Sequence, residues 1–213
     1  MDGASQNDQA ASHGKPVDVL REELRYRDPA ALARNAGARL EGGDTGHILI
    51  SYWGRGLTVG LPDFRVQDAE TGGPVDEKTE RLIVHYLHTA DGTEFTDTWV
   101  SLAELPDGAF YRQAYQGYTG DYLALNIQND LSTLQRVSHR LGGKGEEFGD
   151  FSCSFRVLPR LSLLVVYWRG DDEFPPTAQI HFSDTARHYL PTDICAYLGR
   201  LLVERLLDFR EGV

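Results

Sequence analysis

The stretch ARHYLPTDICAYLG, residues 186 to 199, places His188, Asp193 and Cys195 within eight residues. These are the residue types of a thiol nucleophile with a base and a carboxylate. A helix N-terminus at Cys195, with His188 folded back onto it, would favour the thiolate. The same residues also fit a plainer role. Pro191 stops the preceding segment, Thr192 caps the next helix by accepting the backbone N–H of Ile194 or Cys195, and Asp193 sits in the positive first turn. Ile194, Leu198, Leu201, Leu202 and Leu206 then form an apolar stripe, and Cys195 lies toward it. Capping and core packing is the preferred reading, because buried cysteines commonly serve as small inert hydrophobes. His188 and Tyr189, in the turn before the cap, are expected to face outward.

Other groups of residues raise the same question. His85 and His88 are three apart on a predicted helix, a spacing that suits two ligands of one metal. No third ligand is near in sequence, and both lie off the apolar face, so a solvated or rim pair is expected. Asp171, Asp172 and Glu173 crowd a turn that could hold a hard cation with a further oxygen from a residue such as Asp184. Their spacing matches no dedicated calcium loop, and a solvated acidic turn is preferred. The GGKG at 142–145 resembles a phosphate loop, but a helix precedes it and a strand follows, the reverse of the order that aims free N–H groups at an anion. It reads as a helix stop. Ser152 and Ser154 lack a nucleophile-elbow frame.

Trp99, Phe110, Tyr111, Tyr115, Tyr118 and Tyr122 form an aromatic series that suits either a pocket for a flat ligand or core packing. Trp99, Tyr111, Tyr115, His188 and Tyr189 make up the candidate cofactor-binding set. No catalytic residue, metal ligand or particular cofactor is assigned.

The elements that would position these residues follow from periodicity and breakers. Val17, Leu20 and Leu24 mark a short amphipathic helix; Asp28-Pro29 starts a second, which Gly37 ends. GHILISYWGRGLTVGLP alternates as a β-hairpin around Gly54-Arg55-Gly56, and FRVQD (64–68) adds a strand. Leu82, Ile83, Tyr86, Leu87 and Ala90 share one face of a helix that ends at Asp91-Gly92. An extended piece at Trp99-Val100 precedes helical pieces around 110–115 and 120–127. Asp130 caps a helix carrying Leu131, Leu134, Val137 and Leu141, with Gly142-Gly143 as its stop. Strands follow at 151–158, 161–168 and 178–182. The second of these is apolar on both faces and so belongs at the centre of a sheet.

This order predicts an α+β fold, a mainly antiparallel sheet with helices packed against it, a helical pair at the N-terminus and a helix at the C-terminus. Residues 1–15, polar and without period, are expected to be a disordered tail, and 16–213 a single α+β domain. A net charge of −11 with no Lys/Arg cluster argues against nucleic acid. No apolar run reaches the roughly 18 residues of a membrane span. The first residues do not read as a secretory signal, so a cytoplasmic location is the default. Two cysteines make no disulfide framework, although one bridge between them stays open.

Several phrases together resemble the uncharacterised prokaryotic domain-of-unknown-function family 3786: HYLHTADGT (85–93), ELPDGAFY (104–111), LPRLSLLVVYWRGDDEFPP (158–176) and HYLPTDICAYLG (188–199). The likeness runs from about Val17 to the C-terminus. It implies kinship with proteins of anaerobic prokaryotes, some fused to a four-iron–four-sulfur module like that of corrinoid iron–sulfur proteins. The N-terminal part of this chain has no cysteine and so no thiolate for such a cluster. What the resemblance implies for function is an accessory or binding domain that recognises a corrinoid or tetrapyrrole-type cofactor, or a corrinoid or metallocofactor protein partner. Two alternatives stand beside it: a small enzyme using Cys195 or the 171–173 carboxylates, and a purely structural interaction module. The resemblance assigns no functional residue.

Overall fold

The structure, a computed structural model, describes residues 15–211, with the backbone alone at 209–211. Residues 1–14 of the expected tail lie outside the described residues. The chain opens with two helices, α1 (Val17–Arg25) and α2 (Pro29–Asn35). As expected, Asp28 caps α2 by accepting from the backbone N–H groups of Ala30 (3.0 Å) and Ala31 (3.2 Å), and Pro29 takes the first helical position. Gly37, at φ +65°, ends it.

Four short strands follow: β1 (Arg39–Glu41), β2 (His47–Tyr52), β3 (Arg55–Gly60) and β4 (Arg65–Asp68), paired antiparallel in chain order. The hairpin turn is Trp53-Gly54, both at positive φ, one residue before the expected glycine-bracketed site. Two residues in that conformation match the twist of the flanking strands.

Next comes α3 (Glu77–Thr89), capped by the Asp76 side chain. The second sheet collects β5 (Trp99–Ser101), β6 (Lys144–Gly145), β7 (Phe151–Leu158), β8 (Leu161–Trp168) and β9 (Thr177–Ser183) in the order β5-β9-β8-β7-β6, again antiparallel. The fold is α+β as predicted, with the strands divided between two sheets. A backbone bond from Trp53 N–H to Val157 O (2.9 Å) ties the first hairpin to β7. β8 is central, and every residue from Leu161 to Tyr167 is buried, which is why its apolar run does not alternate.

Between β5 and β6 lie α4 (Arg112–Gln116), a π-helical turn at Gly117–Asp121, α5 (Tyr122–Ile127) and α6 (Leu131–Arg140). The first three form one continuous helical run over β9. Asp130 caps α6 through Thr133 N–H (3.0 Å), and Gly142, at φ +76°, stops it. The 142–145 segment is thus a helix stop leading into β6. The last helix, α7 (Thr192–Glu211), packs along α5 and α6. It begins at Thr192 rather than after it: Cys195 N–H bonds Pro191 O (2.9 Å), and the Thr192 hydroxyl donates to Pro106 O (2.7 Å). The expected Thr192 cap is therefore corrected, because that side chain ties α7 to the 106 turn. No helix among the described residues is long and apolar enough to cross a membrane.

Candidate functional site

The turn that carries His188 and Tyr189 folds onto the loop that leaves α3. His188 Nδ1 lies 2.7 Å from Asp91 Oδ2, and Asp91 Oδ1 also accepts from Thr93 N–H (2.9 Å) and the Thr93 hydroxyl (2.7 Å). Partial desolvation raises the Asp91 carboxyl, but the Thr93 and His188 hydrogen bonds outweigh it and bring the pKa to about 2. Tyr189 does not face outward as expected. It is fully buried, its ring stacks on Tyr86 at 5.4 Å, and its hydroxyl donates to Thr93 O. The apolar Tyr86 surface draws this ring inward, and the Thr93 carbonyl gives its hydroxyl a partner there. An Asp–His pair of this kind orients an imidazole for proton transfer, but the Thr93 hydroxyl is committed to the same carboxylate. The arrangement works as a clasp between the 91–93 loop and the 188–189 turn.

The aromatic series divides between core and surface. Tyr115 is buried and packs edge-on to Tyr118 (5.7 Å) and at a tilt to Phe182 (6.0 Å). Trp99 is half-buried on the edge strand β5. Phe110, Tyr111, Tyr118 and Tyr122 are exposed, and so is Leu125, at 72%. Tyr118, Tyr122 and Leu125 follow one another at i, i+4 and i+7, one face of the helical run, while Thr119, Leu123, Ala124 and Ile127 turn toward the protein. Gly120 lets the π turn approach so closely that a β-carbon there would lie 2.0 Å from Ala178 O of β9. The candidate cofactor set is thus not assembled as one lining: Tyr115 and Tyr189 are core, Trp99 is half-buried on an edge strand, and Tyr111 is exposed in the turn before α4.

Both cysteines are buried and free. Burial, with Asp193 adding to it, pushes the Cys195 thiol well up, and burial pushes Cys153 up to about 11. Cys195 Sγ contacts Leu190 O at 3.8 Å, and His188 is engaged with Asp91. The thiol-enzyme arrangement is therefore absent. In native protein neither thiol should react with Ellman's reagent on the timescale of free cysteine, and both should react at once in urea. A fast native thiol would contradict this packing.

His85 corrects a second expectation, since it is 2% exposed rather than solvated. The helix α3 is covered by α1 and α2 as well as by the first sheet, so its polar face is also interior. The His85 Nε2 has no hydrogen-bond partner. His88 turns elsewhere, to Glu23 at 2.6 Å, so the two imidazoles are not directed at one metal. Desolvation lowers the His85 pKa, and Arg81 and His88 add to this while Asp193 opposes it. The unfolded chain then takes up a proton that the fold resists. Stability should be full above the ordinary histidine value of about 6.5 and fall as the pH drops below it, by at most about 1.4 kcal/mol per pH unit for one proton. Urea unfolding from pH 7.5 to 5 should show that fall, and His85→Leu should flatten it. An unchanged slope in the variant would assign the titration to His181, which desolvation also lowers.

The acidic turn is held by its own backbone: Asp171 Oδ1 accepts from the N–H groups of Glu173 (2.9 Å) and Phe174 (2.8 Å). Asp184, the oxygen donor considered for a cation there, instead accepts from the Thr96 hydroxyl. Among the described residues no group of three His, Cys, Asp or Glu side chains is placed to hold a metal. Two surface clefts among the described residues are lined by polar and charged side chains. One is lined by Ser132, Gln135, Arg136, His139 and Arg140, and the other by residues of α1 with Asp63 and Arg65. Neither includes a residue of the candidate cofactor set.

A family model described as "Domain of unknown function (DUF3786)" matches residues 28–205. The chain belongs to this family. No curated protein and no solved structure matches it. The matched region contains every element from α2 to the greater part of α7, including the clasp and the exposed aromatic run. Two of the phrases that carry the family resemblance, at 85–93 and 188–199, meet in the fold at the Asp91–His188 and Tyr189–Thr93 bonds. Asp91 and Leu125 were missed as functional candidates. Asp91 read only as a turn former, and Leu125 becomes conspicuous only when Leu123, Ala124 and Ile127 are known to face inward.

Proposed function

We propose that this domain is a non-catalytic accessory module that docks a protein partner through the Tyr118–Tyr122–Leu125 face of the helical run that spans α4 to α5. The observation that carries the reading is the exposure of Tyr118, Tyr122 and Leu125 on one helical face while the opposite face is pressed onto β9. Scattered exposed apolar residues are ordinary, but a contiguous run marks a contact site. A corrinoid or metallocofactor protein, the partner implied by the family resemblance, is the first to test. The small-cofactor form of the reading has less support, because Tyr115 and Tyr189 offer a ligand almost no surface.

Binding of a purified corrinoid iron–sulfur protein, followed by biolayer interferometry, should weaken about tenfold or more in Tyr118→Ser/Leu125→Ser, since a few aromatic anchors carry most interface energy. Equal binding by the variant would remove the helix from the contact. In parallel, cobalamin, haem and divalent metals should leave the melting temperature unchanged. A rise with cobalamin would move the function to small-ligand binding.

A further inference from the structure

The surroundings of the aromatic face constrain what covers it. The helical run from Arg112 to Ile127 is about 22 Å long at the rise of an α-helix. Its far end meets the 170–174 turn, which Asn129 holds by two hydrogen bonds: its Nδ2 donates to Gly170 O (3.1 Å), and its Oδ1 accepts from Gly170 N–H (2.9 Å). That turn presents Asp171, Asp172 and Glu173 to solvent, together with Phe174 at 67% exposure. Asp121 is also exposed on the run, Asp107 is exposed before it, and Arg112 and Arg169 are exposed cations toward its two ends. Arg200, close to Tyr118, is paired with Glu204 at 2.7 Å. The apolar face therefore has a net acidic border and an acidic cap at one end.

From this we infer that the occupant is a basic amphipathic helical segment of a partner protein, with apolar residues against Tyr118, Tyr122 and Leu125 and Lys or Arg residues reaching the 171–173 carboxylates. The inference rests on the docking reading above and adds the chemistry of the partner. Charge decides between this occupant and a second copy. A copy would bring another acidic border and a net charge of −11 against the first, which opposes self-association, whereas a cationic segment gains attraction along the same border. Apolar anchors at helical spacing lying in a hydrophobic strip are a common mode of helix recognition.

The test uses the full chain and a fluorescein-labelled Leu/Lys amphipathic peptide of about 14 residues, matched to the length of the face. Two control peptides accompany it, one with glutamine for leucine and one with glutamate for lysine. Anisotropy should show saturable binding of the Leu/Lys peptide alone, weakening as salt is raised. Tyr118→Ser/Leu125→Ser should reduce affinity about tenfold or more. Asp171→Asn/Asp172→Asn/Glu173→Gln should reduce it severalfold and flatten the salt dependence. All the altered side chains are exposed, and circular dichroism would show each variant folded. If the stripe variant weakens binding and the carboxylate variant does not, the basic-partner inference falls while the docking face stands. If the Gln/Lys peptide binds equally well, or the stripe variant binds unchanged, both fall. Concentration-dependent dimerisation by sedimentation, lost in the stripe variant, would assign the face to a second copy and overturn the inference.

Discussion

Gly120→Ala is expected to destabilise the protein by about 3 kcal/mol or more, a size reserved for overpacking against groups that cannot move aside. The added β-carbon would lie 2.0 Å from Ala178 O and 2.9 Å from Ala178 C, both backbone atoms, and 2.5 Å from Gln116 Nε2. Ala178, near the start of β9, is paired with Tyr167 of the central strand β8, so β9 cannot retreat without disturbing the β8 ladder. Gln116 is also committed, since its Nε2 donates to Ala178 O (2.9 Å) and to Asp121 (2.7 Å). The helical run must lift instead, separating Thr119 and Leu123 from the core. Gly117 supplies the control: it lies in the same π turn at φ −61° with nothing within 4 Å of an added β-carbon. Gly117→Ala should be neutral or stabilise by up to about 1 kcal/mol through helix propensity. Urea unfolding of the pair separates the two cases, and a Gly120→Ala midpoint equal to wild type would show that the run does not press on β9.

This contrast also shows what was legible in the sequence. Asp28, Asp130 and Gly142 act on backbone within three residues of themselves, so their caps and stops could be read from local chemistry. The burial of β8 could be read because a strand covered on both faces loses its alternation. What could not be read depends on partners far along the chain. His85 looked solvated because its own helix has a good apolar face without it, and only the packing of α1 and α2 over α3 buries it. Tyr189 looked like part of an outward turn until Tyr86 and Thr93, roughly a hundred residues earlier, gave its ring a stack and its hydroxyl an acceptor. The exposed stripe was half legible. Tyr118 and Tyr122 drew attention as aromatics, but separating them from Tyr115 requires knowing which side of the run meets β9.

The largest coupled effect is expected between Tyr115 and Gly199, and it decides whether Tyr115 is a pillar of the core. Burial drives the Tyr115 pKa well above its ordinary value, and its hydroxyl has no hydrogen-bond partner. An unpaired buried hydroxyl costs about 1–3 kcal/mol, so Tyr115→Phe should be neutral or stabilising by about 1 kcal/mol. Gly199, inside α7, lies where an added β-carbon would come 2.1 Å from that hydroxyl oxygen, with Cζ at 2.9 Å and Cε2 at 3.0 Å. Gly199→Ala therefore loses to the clash more than it gains from helix propensity, for a net cost of about 2 kcal/mol. Removing the oxygen relieves the shortest contact and leaves the ring carbons close, so the double variant should recover only part of that loss, with a coupling of about 1 kcal/mol. Unfolding free energies of the four proteins close the cycle. Were the Tyr115 hydroxyl engaged in an internal hydrogen bond, Tyr115→Phe would instead lower stability. A stabilised Tyr115→Phe with partial rescue would place this ring in the packing of α7 on β9 and leave Tyr118, Tyr122 and Leu125 as the aromatic run's outward chemistry.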